Sequence, residues 1–236
     1  YGEYCVPQLS HQANGKFAVT EMYHPLIPEG VRNSITAERS VLLTGSNASG
    51  KSTFIKTVAL NAILAQTLHT VLAENYQASW FCIASSMALR DDILSQESYY
   101  IVEIRSLKRI LDLTRLSELP VLCFIDEVLR GTNTVERIAA SSRILQAIAE
   151  QGGLCFAATH DIELTYLLEK EYDNYHFEEQ VEDDKVTFDY CLREGRACTR
   201  NAIRLLKMLG YDEKIVDDAN ERVALFLKSG NWVSSH

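Results

Sequence analysis

The 236-residue chain has only four prolines and two tryptophans, and it has no excess of basic residues. Lys and Arg total 23 against 32 Asp and Glu, a formal charge of −9. That balance excludes a domain that grips nucleic acid by blanket phosphate neutralisation, which needs basic stripes. No uncharged run reaches the roughly 18–20 residues of a membrane span, and no signal peptide is visible. The six cysteines (Cys5, Cys82, Cys123, Cys155, Cys191 and Cys198) form no C-x-x-C pair. Cys123 and Cys155 lie in the apolar runs VLCFID and LCFAAT, so the set reads as reduced thiols of a cytoplasmic protein. The histidines show no metal spacing with each other or with cysteine, and no zinc site is expected. The chain opens at Tyr1 rather than Met, and it is expected to be an excised piece of something longer.

What is present is the composition of a folded domain, 47% hydrophobic with 23% charged residues. Its length suits one large domain, or one domain with a small appendage. We read it as a single domain in three parts: short strands and turns over 1–39, a core over 40–170, and a hairpin with two closing helices over 171–236. ERSVLLTG gives a short buried strand, and a helix follows from about Lys51, with Phe54, Ile55, Val58, Ala59, Ala62 and Ile63 at helical spacing. ASWFCIASS reads as another strand. A helix over 99–114 carries Ile101, Ile104, Leu107, Ile110 and Leu111 on one side. PVLCFID is a continuous apolar strand, and a helix over 135–149 turns Val135, Ile138, Ala139, Ser142 and Leu145 inward. GLCFAATH repeats the buried-strand signature. Strands apolar on both faces, alternating with helices, predict an α/β fold with a mainly parallel sheet covered on two sides. YDNYHFEEQ and KVTFDYCLRE then alternate around the turn VEDDK as a hairpin. Helices around 201–209 and 214–227 close the chain.

TGSNASGKST contains G-x-x-x-x-G-K-S from Gly45 to Ser52, between a buried strand and a helix, where a phosphate-binding loop belongs. The backbone N–H groups of Gly45, Ser46, Asn47, Ala48, Ser49 and Gly50 would wrap phosphate, the glycines permitting close approach. The helix aims its positive end at the same anion. Lys51 would reach the β- and γ-phosphates, and Ser52 would ligate Mg²⁺. Downstream, the apolar strand 121–125 ends in Asp126–Glu127. At the end of a parallel strand beside the loop strand, Asp126 is placed to hold Mg²⁺, and Glu127 to polarise the attacking water. Without the loop, the pair would read as a cap on the next helix. His160 follows LCFAAT directly, on a strand expected beside the Asp126–Glu127 strand, where it can donate to the γ-phosphate or the water.

Four ordered motifs, TGSNASGKSTFIK, SQESYYIVEI, FIDEVLRGTNT and ATHDIEL, resemble the ATPase domain of the MutS family of mismatch-repair proteins. The family pattern runs roughly T-G-P-N-M-x-G-K-S-T, G-Q-S-T-F-x-x-E-M, D-E-x-G-R-G-T-S-T and A-T-H. EGRACTRNAIRLLKMLGY, MYHPLI and VRNSI extend the likeness to nearly the whole chain. The resemblance implies a P-loop NTPase of the ABC type, Mg²⁺-dependent in its ATP hydrolysis, whose two sites lie in a dimer interface. The chain would supply Glu127, His160 and Lys51 to catalysis, and the loop through Thr53 to ATP. It would supply Gly131, Thr132, Asn133 and Thr134 to the site of the other subunit. Gln96 resembles the residue that senses Mg²⁺ or water, and Thr132 or Asn133 could equally be a simple helix N-cap. Tyr23, His24 and Asn33 fall near the adenine in pattern, with the stacking residue left open.

Leu129 stands where the family usually has Gly and Asn133 where it has Ser; Ser46 and Ala48 replace Pro and Met. These departures imply an altered rate more than lost binding. Nothing resembles a mismatch-reading domain, lever or clamp, so duplex DNA is expected to be engaged by upstream parts of a parent, with little DNA binding by this segment. The partner implied by the resemblance is a second copy of the chain, a homodimer through the ATP sites. Two alternatives stay open: a nucleotide-gated scaffold with little hydrolysis, and an ABC transporter subunit, for which LSQES is a weak match to L-S-G-G-Q.

Overall fold

The computed structural model describes residues 3–11, 15–27, 29–87, 99–129, 132–182, 185–197 and 202–230. In chain order it runs β1 (Gln8–Ser10), β2 (Phe17–Met22), β3 (Asn33–Ala37), β4 (Ser40–Thr44), α1 (Lys51–Thr67), β5 (Asn75–Ser79), β6 (Cys82–Ser86), α2 (Tyr99–Leu116), β7 (Val121–Asp126), α3 (Thr134–Glu150), β8 (Leu154–Ala158), α4 (Leu164–Leu167) and β9 (Tyr172–His176). There follow β10 (Glu179–Glu182), β11 (Lys185–Phe188), β12 (Arg193–Glu194), α5 (Ala202–Met208) and α6 (Glu213–Ser229). The chain divides into two compact units, residues 1–178 with 190–197, and residues 179–189 with 198–236.

The first unit is mixed α/β. Its central sheet has the order β12-β9-β4-β8-β7-β6. All its pairings are parallel except that of β12 with β9. Every residue of β4 and β8 is buried, as are all but the last of β7, which is why these strands read as unbroken apolar runs. Alternate residues serve opposite faces. Val41, Leu43, Leu122, Phe124 and Phe156 pack with Phe54, Ile55 and Val58 of α1. Leu42, Cys123, Ile125, Cys155 and Ala157 pack with Leu107 and Ile110 of α2 and with Leu145 and Ile148 of α3.

A second sheet, β1-β5-β2-β3, extends the α1-side core. Phe17 of β2 meets Tyr76 and Phe156 edge-on, with ring centroids 5.4 Å apart in each case. β2 has a register shift against β3 between Val19 and Met22, a bulge at which Glu21 takes a φ of 53°. The second unit contains the antiparallel pair β10–β11 and the packed helices α5 and α6. Asp212 caps α6 by accepting the Lys214 N–H at 2.8 Å.

Several expectations are corrected. ASWFCIASS is two strands, β5 and β6, in different sheets, with the chain turning at Trp80 and Phe81. The expected hairpin narrows to β10–β11, because β9 is drawn into the central sheet beside β4 and β12 returns to pair with β9. That hairpin and the closing helices form the second compact unit. Ile63, Ile101, Ile104 and Val135 are exposed rather than inward, Val135 at 76%. Ala139 is exposed and Ser142 is no part of the core, because the core-facing stripe of α3 is Ser141, Leu145 and Ile148. The described cysteines are free thiols, with Cys123 and Cys155 fully buried. Among the described residues no helix is long and apolar enough to cross a membrane.

Candidate nucleotide-binding site

Parallel strands of an open α/β sheet deliver their chain ends to one edge, where ligand sites form. At that edge, β4 gives way to the loop Gly45–Gly50 and α1. Gly45 has a φ of 142°, and a Cβ there would lie 2.7 Å from the Phe177 carbonyl oxygen and 2.8 Å from Ser49 Oγ. Ala48 and Gly50 also take positive φ, 65° and 109°. The Lys51 side chain is folded across the loop, its Nζ donating to the carbonyls of Gly45 at 2.7 Å and Ser46 at 2.8 Å. The Ser49 hydroxyl is buried in the loop with no hydrogen-bond partner among the described residues.

The sequence reading placed the Asp126 strand next to the loop strand; in the structure β8 lies between them. The carboxylate still reaches across, and Ser52 Oγ donates to Asp126 Oδ1 at 2.9 Å. The intervening β8 carries His160 to the gap between the loop and the end of β7. His160 Nε2 lies 3.0 Å from Glu127 Oε1. Glu127 is aimed by its backbone, with a φ of 60° and its N–H donating to Ala158 O at 3.1 Å.

The turn continues through Leu129, whose φ is 58° and whose side chain is 2% exposed. A glycine would reach this left-handed conformation without steric cost; a leucine adopts it at a cost of about 1–2 kcal/mol. Glu103 of α2, itself 1% exposed, accepts the Leu129 N–H. The Ser141 hydroxyl meets Val128 O at 3.5 Å.

A cavity of about 550 Å³ opens over the loop, lined by residues 46–54 together with Glu127 and His160. Tyr23, His24 and Asn33, the expected adenine-side residues, also line it. Asn33 works indirectly there: its side chain donates to Tyr190 O at 3.0 Å and accepts the Leu192 N–H at 2.7 Å, pinning the segment that carries Tyr190 to the wall. Ile27 and Val31, from the MYHPLI and VRNSI segments, also line it, and Tyr190 and Phe177 add apolar wall that sequence reasoning missed. No motif marks them, because separate stretches of chain supply them. Gln96, Arg130 and Gly131 lie outside the described residues. Thr132, Asn133 and Thr134 do not line the cavity. Asn133 is the N-cap of α3, accepting the Val135 N–H at 2.9 Å, and Thr132 Oγ1 meets Glu136 Oε2 at 3.4 Å.

Also unforeseen was a two-pronged ion pair behind His160. Arg137, on the first turn of α3, donates from Nε to Asp161 Oδ2 at 2.8 Å and from Nη2 to Asp161 Oδ1 at 2.6 Å. The hydrogen bond with Asp161 is the main cause that raises the guanidinium pKa, and the charges of Asp161, Glu127 and Glu163 add to it.

As for a metal, no cluster of three or more His, Cys, Asp or Glu side chains among the described residues is placed to hold an ion. Mg²⁺ needs less, since it is commonly bound through one or two protein oxygens with phosphates and water completing the shell. The touching oxygens of Ser52 and Asp126 fit that requirement.

Residues 41–226 match the family description MutS domain V. The DNA mismatch repair protein MutS of Natronomonas pharaonis is 31% identical over 227 residues, covering 93% of this chain and 26% of that protein. The protein of the same name from Pseudothermotoga lettingae is 33% identical over 233 residues, covering 94% and 28%. That from Aquifex pyrophilus is 31% identical over 214 residues, covering 86% and 25%. The chain thus spans about a quarter of the length of the curated relatives it matches. On the extent of the domain match and the level of these identities, the chain belongs to the MutS family.

Proposed function

We propose that the chain is a P-loop NTPase domain of the ABC type that binds and hydrolyses ATP, dimerises around it, and drives DNA-engaging parts of a longer mismatch-repair-like protein. The observation that carries this reading is convergence. Lys51 and Ser52 at the start of α1, Glu127 just after β7 and His160 just after β8 line one cavity at one edge of a mainly parallel sheet, and Asp126 meets Ser52 from the end of β7.

Mg²⁺ held by Ser52 and Asp126 would supply charge neutralisation at the phosphates. Lys51, now satisfied by loop carbonyls, would exchange them for phosphate oxygens. Glu127 would accept a proton from the attacking water, and His160, hydrogen-bonded to it, would orient that carboxylate or donate to the terminal phosphate. Tyr23 and Tyr190 offer aromatic surface to the base. Thr132, Asn133 and Thr134, with Gly131, would serve the site of a second copy, in keeping with the position of the first three outside this chain's own cavity.

Binding ATP through a few dedicated groups needs no basic surface, so the net charge of −9 is compatible with it. DNA contact would fall to other parts of a longer protein, as the names and lengths of the relatives suggest. The family match leaves the transporter reading without support. The commitment of Asn133 to the α3 cap favours a slow-hydrolysing scaffold as the second reading.

The test is phosphate release and nucleotide binding by the chain with Mg²⁺ and ATP. Glu127→Gln is expected to bind ATP, accumulate as a dimer and release little phosphate. A wild type that binds ATP without releasing phosphate, at concentrations where it dimerises, selects the scaffold. Failure to bind ATP overturns both readings.

A further inference from the structure

We propose that Arg137 is a positioning residue for hydrolysis: through its two-pronged hold on Asp161, it fixes the end of β8 and so keeps His160 set against Glu127. This rests on the hydrolytic reading above. The pair is built rather than incidental. Asp161 is 9% exposed, immediately follows His160, and has its N–H satisfied by Thr159 Oγ1 at 3.0 Å. Arg137 is anchored at its base, its N–H donating to the carbonyl of the cap residue Asn133 at 2.8 Å.

A guanidinium gripping both carboxylate oxygens fixes direction as well as distance, which a single contact does not. The pair thereby ties the start of α3 to the end of β8, and the Glu127 segment joins them through the Glu127 N–H to Ala158 O and the His160–Glu127 contact. Residues 126–129 carry Glu127, residues 132–137 start α3, and residues 159–161 carry His160. The charge of Glu127 is among the smaller contributions that raise the Arg137 pKa. Losing the guanidinium would free the His160 backbone and leave the Asp161 carboxylate largely buried without its partner, close to the Glu127–His160 pair. The loop that holds phosphate, Gly45–Ser52, takes no part in this tie. Arg137 should therefore govern turnover and leave ATP affinity nearly alone.

The experiment uses the whole chain with Mg²⁺ and ATP. Turnover is measured by phosphate release, affinity with a fluorescent non-hydrolysable ATP analogue, and folding by thermal melting. The variants are Arg137→Ala, Arg137→Lys, Asp161→Asn and the exchange Arg137→Asp with Asp161→Arg. Arg137→Ala and Asp161→Asn are expected to lower kcat by about 10- to 100-fold, the scale of a misplaced catalytic group. Their analogue dissociation constants should stay within about threefold of wild type, because a group acting only beyond the ground state leaves binding intact. Arg137→Lys, with a point charge in place of the fork, should fall between, and the exchange should recover turnover relative to either single change.

Unchanged kcat in Arg137→Ala overturns the positioning role alone. So does a fall in kcat matched by equal loss of affinity and melting temperature without rescue by the exchange. If Arg137→Ala does not fold, Arg137→Lys and Asp161→Asn decide by the same criteria. A wild type that binds the analogue but never releases phosphate overturns the hydrolytic reading, and this inference with it.

Discussion

Two turns at the same edge of the central sheet ask the backbone for left-handed conformations, and they meet the demand differently. The loop after β4 uses Gly45 and Gly50, with Ala48 between them. The turn after β7 uses Glu127 and Leu129, which have no such freedom. In the first, a Cβ at Gly45 would strike backbone, and the surface left bare is the one that, in the proposed function, meets phosphate. In the second, the side chains themselves are wanted: a carboxylate in the cavity at Glu127 and an apolar plug in the α2–α3 core at Leu129. Their strain is offset by hydrogen bonds from both N–H groups, Glu127 to Ala158 O and Leu129 to the buried Glu103 carboxylate. Apart from Ala48, glycine stands where the backbone turns the loop, and a strained side chain stands where the cavity or the core takes the group.

The largest expected effect lies in the second turn. Leu129→Ala keeps the left-handed strain and empties a core position, and should cost about 3–4 kcal/mol in denaturant unfolding. Leu129→Gly loses the same burial but relieves the strain, so its stability should lie above that of the alanine variant by about 1 kcal/mol. The reverse order would break the comparison. In the first turn, Gly45→Ala places a methyl against Phe177 O and Ser49 Oγ and is expected to lose about 2–3 kcal/mol together with nucleotide-analogue binding. Intact analogue binding would show that the close approach is not required. Glu103→Ala removes the acceptor of the Leu129 N–H and should cost about 2 kcal/mol by chemical denaturation. Its phosphate release should fall as Glu127 loses its fixed aim. Gly50→Ala should be mildest, about 1–2 kcal/mol in thermal unfolding, almost all of it from holding alanine at a φ of 109°, because its Cβ would meet only the Tyr190 ring, at 3.2 Å, and a half-exposed ring can shift.

Much of the candidate site was legible because its motifs are local. G-x-x-x-x-G-K-S is contiguous, Asp126–Glu127 and His160 directly follow apolar runs, and those runs are strands of the central sheet. The departures from the family pattern were legible as letters, and their meaning was not. Leu129 in place of Gly is expected to alter the rate, and the structure adds that the backbone there keeps a glycine-like φ of 58° with Glu103 holding it. Asn133 in place of Ser still caps α3. Tyr190 and Phe177 escaped notice because they reach the cavity from distant stretches of the chain. Arg137 and Asp161 escaped because residues 24 apart carry no pattern until a helix and a strand end bring them together. The inward placement of Val135, Ile101 and Ile104 failed because periodicity marks a helix and does not say which apolar residues its neighbours will cover.

By itself the sequence determined most of the elements and the kinds of group at their ends, since φ freedom, hydrophobic period and side-chain chemistry are properties of adjacent residues. Tertiary structure alone decided the strand order, with β8 set between β4 and β7, and the division of ASWFCIASS between two sheets. It also decided the meetings of Ser52 with Asp126, His160 with Glu127 and Arg137 with Asp161. Those depend on which buried faces pack against which, a choice made by the whole core at once and written in no single stretch of the chain.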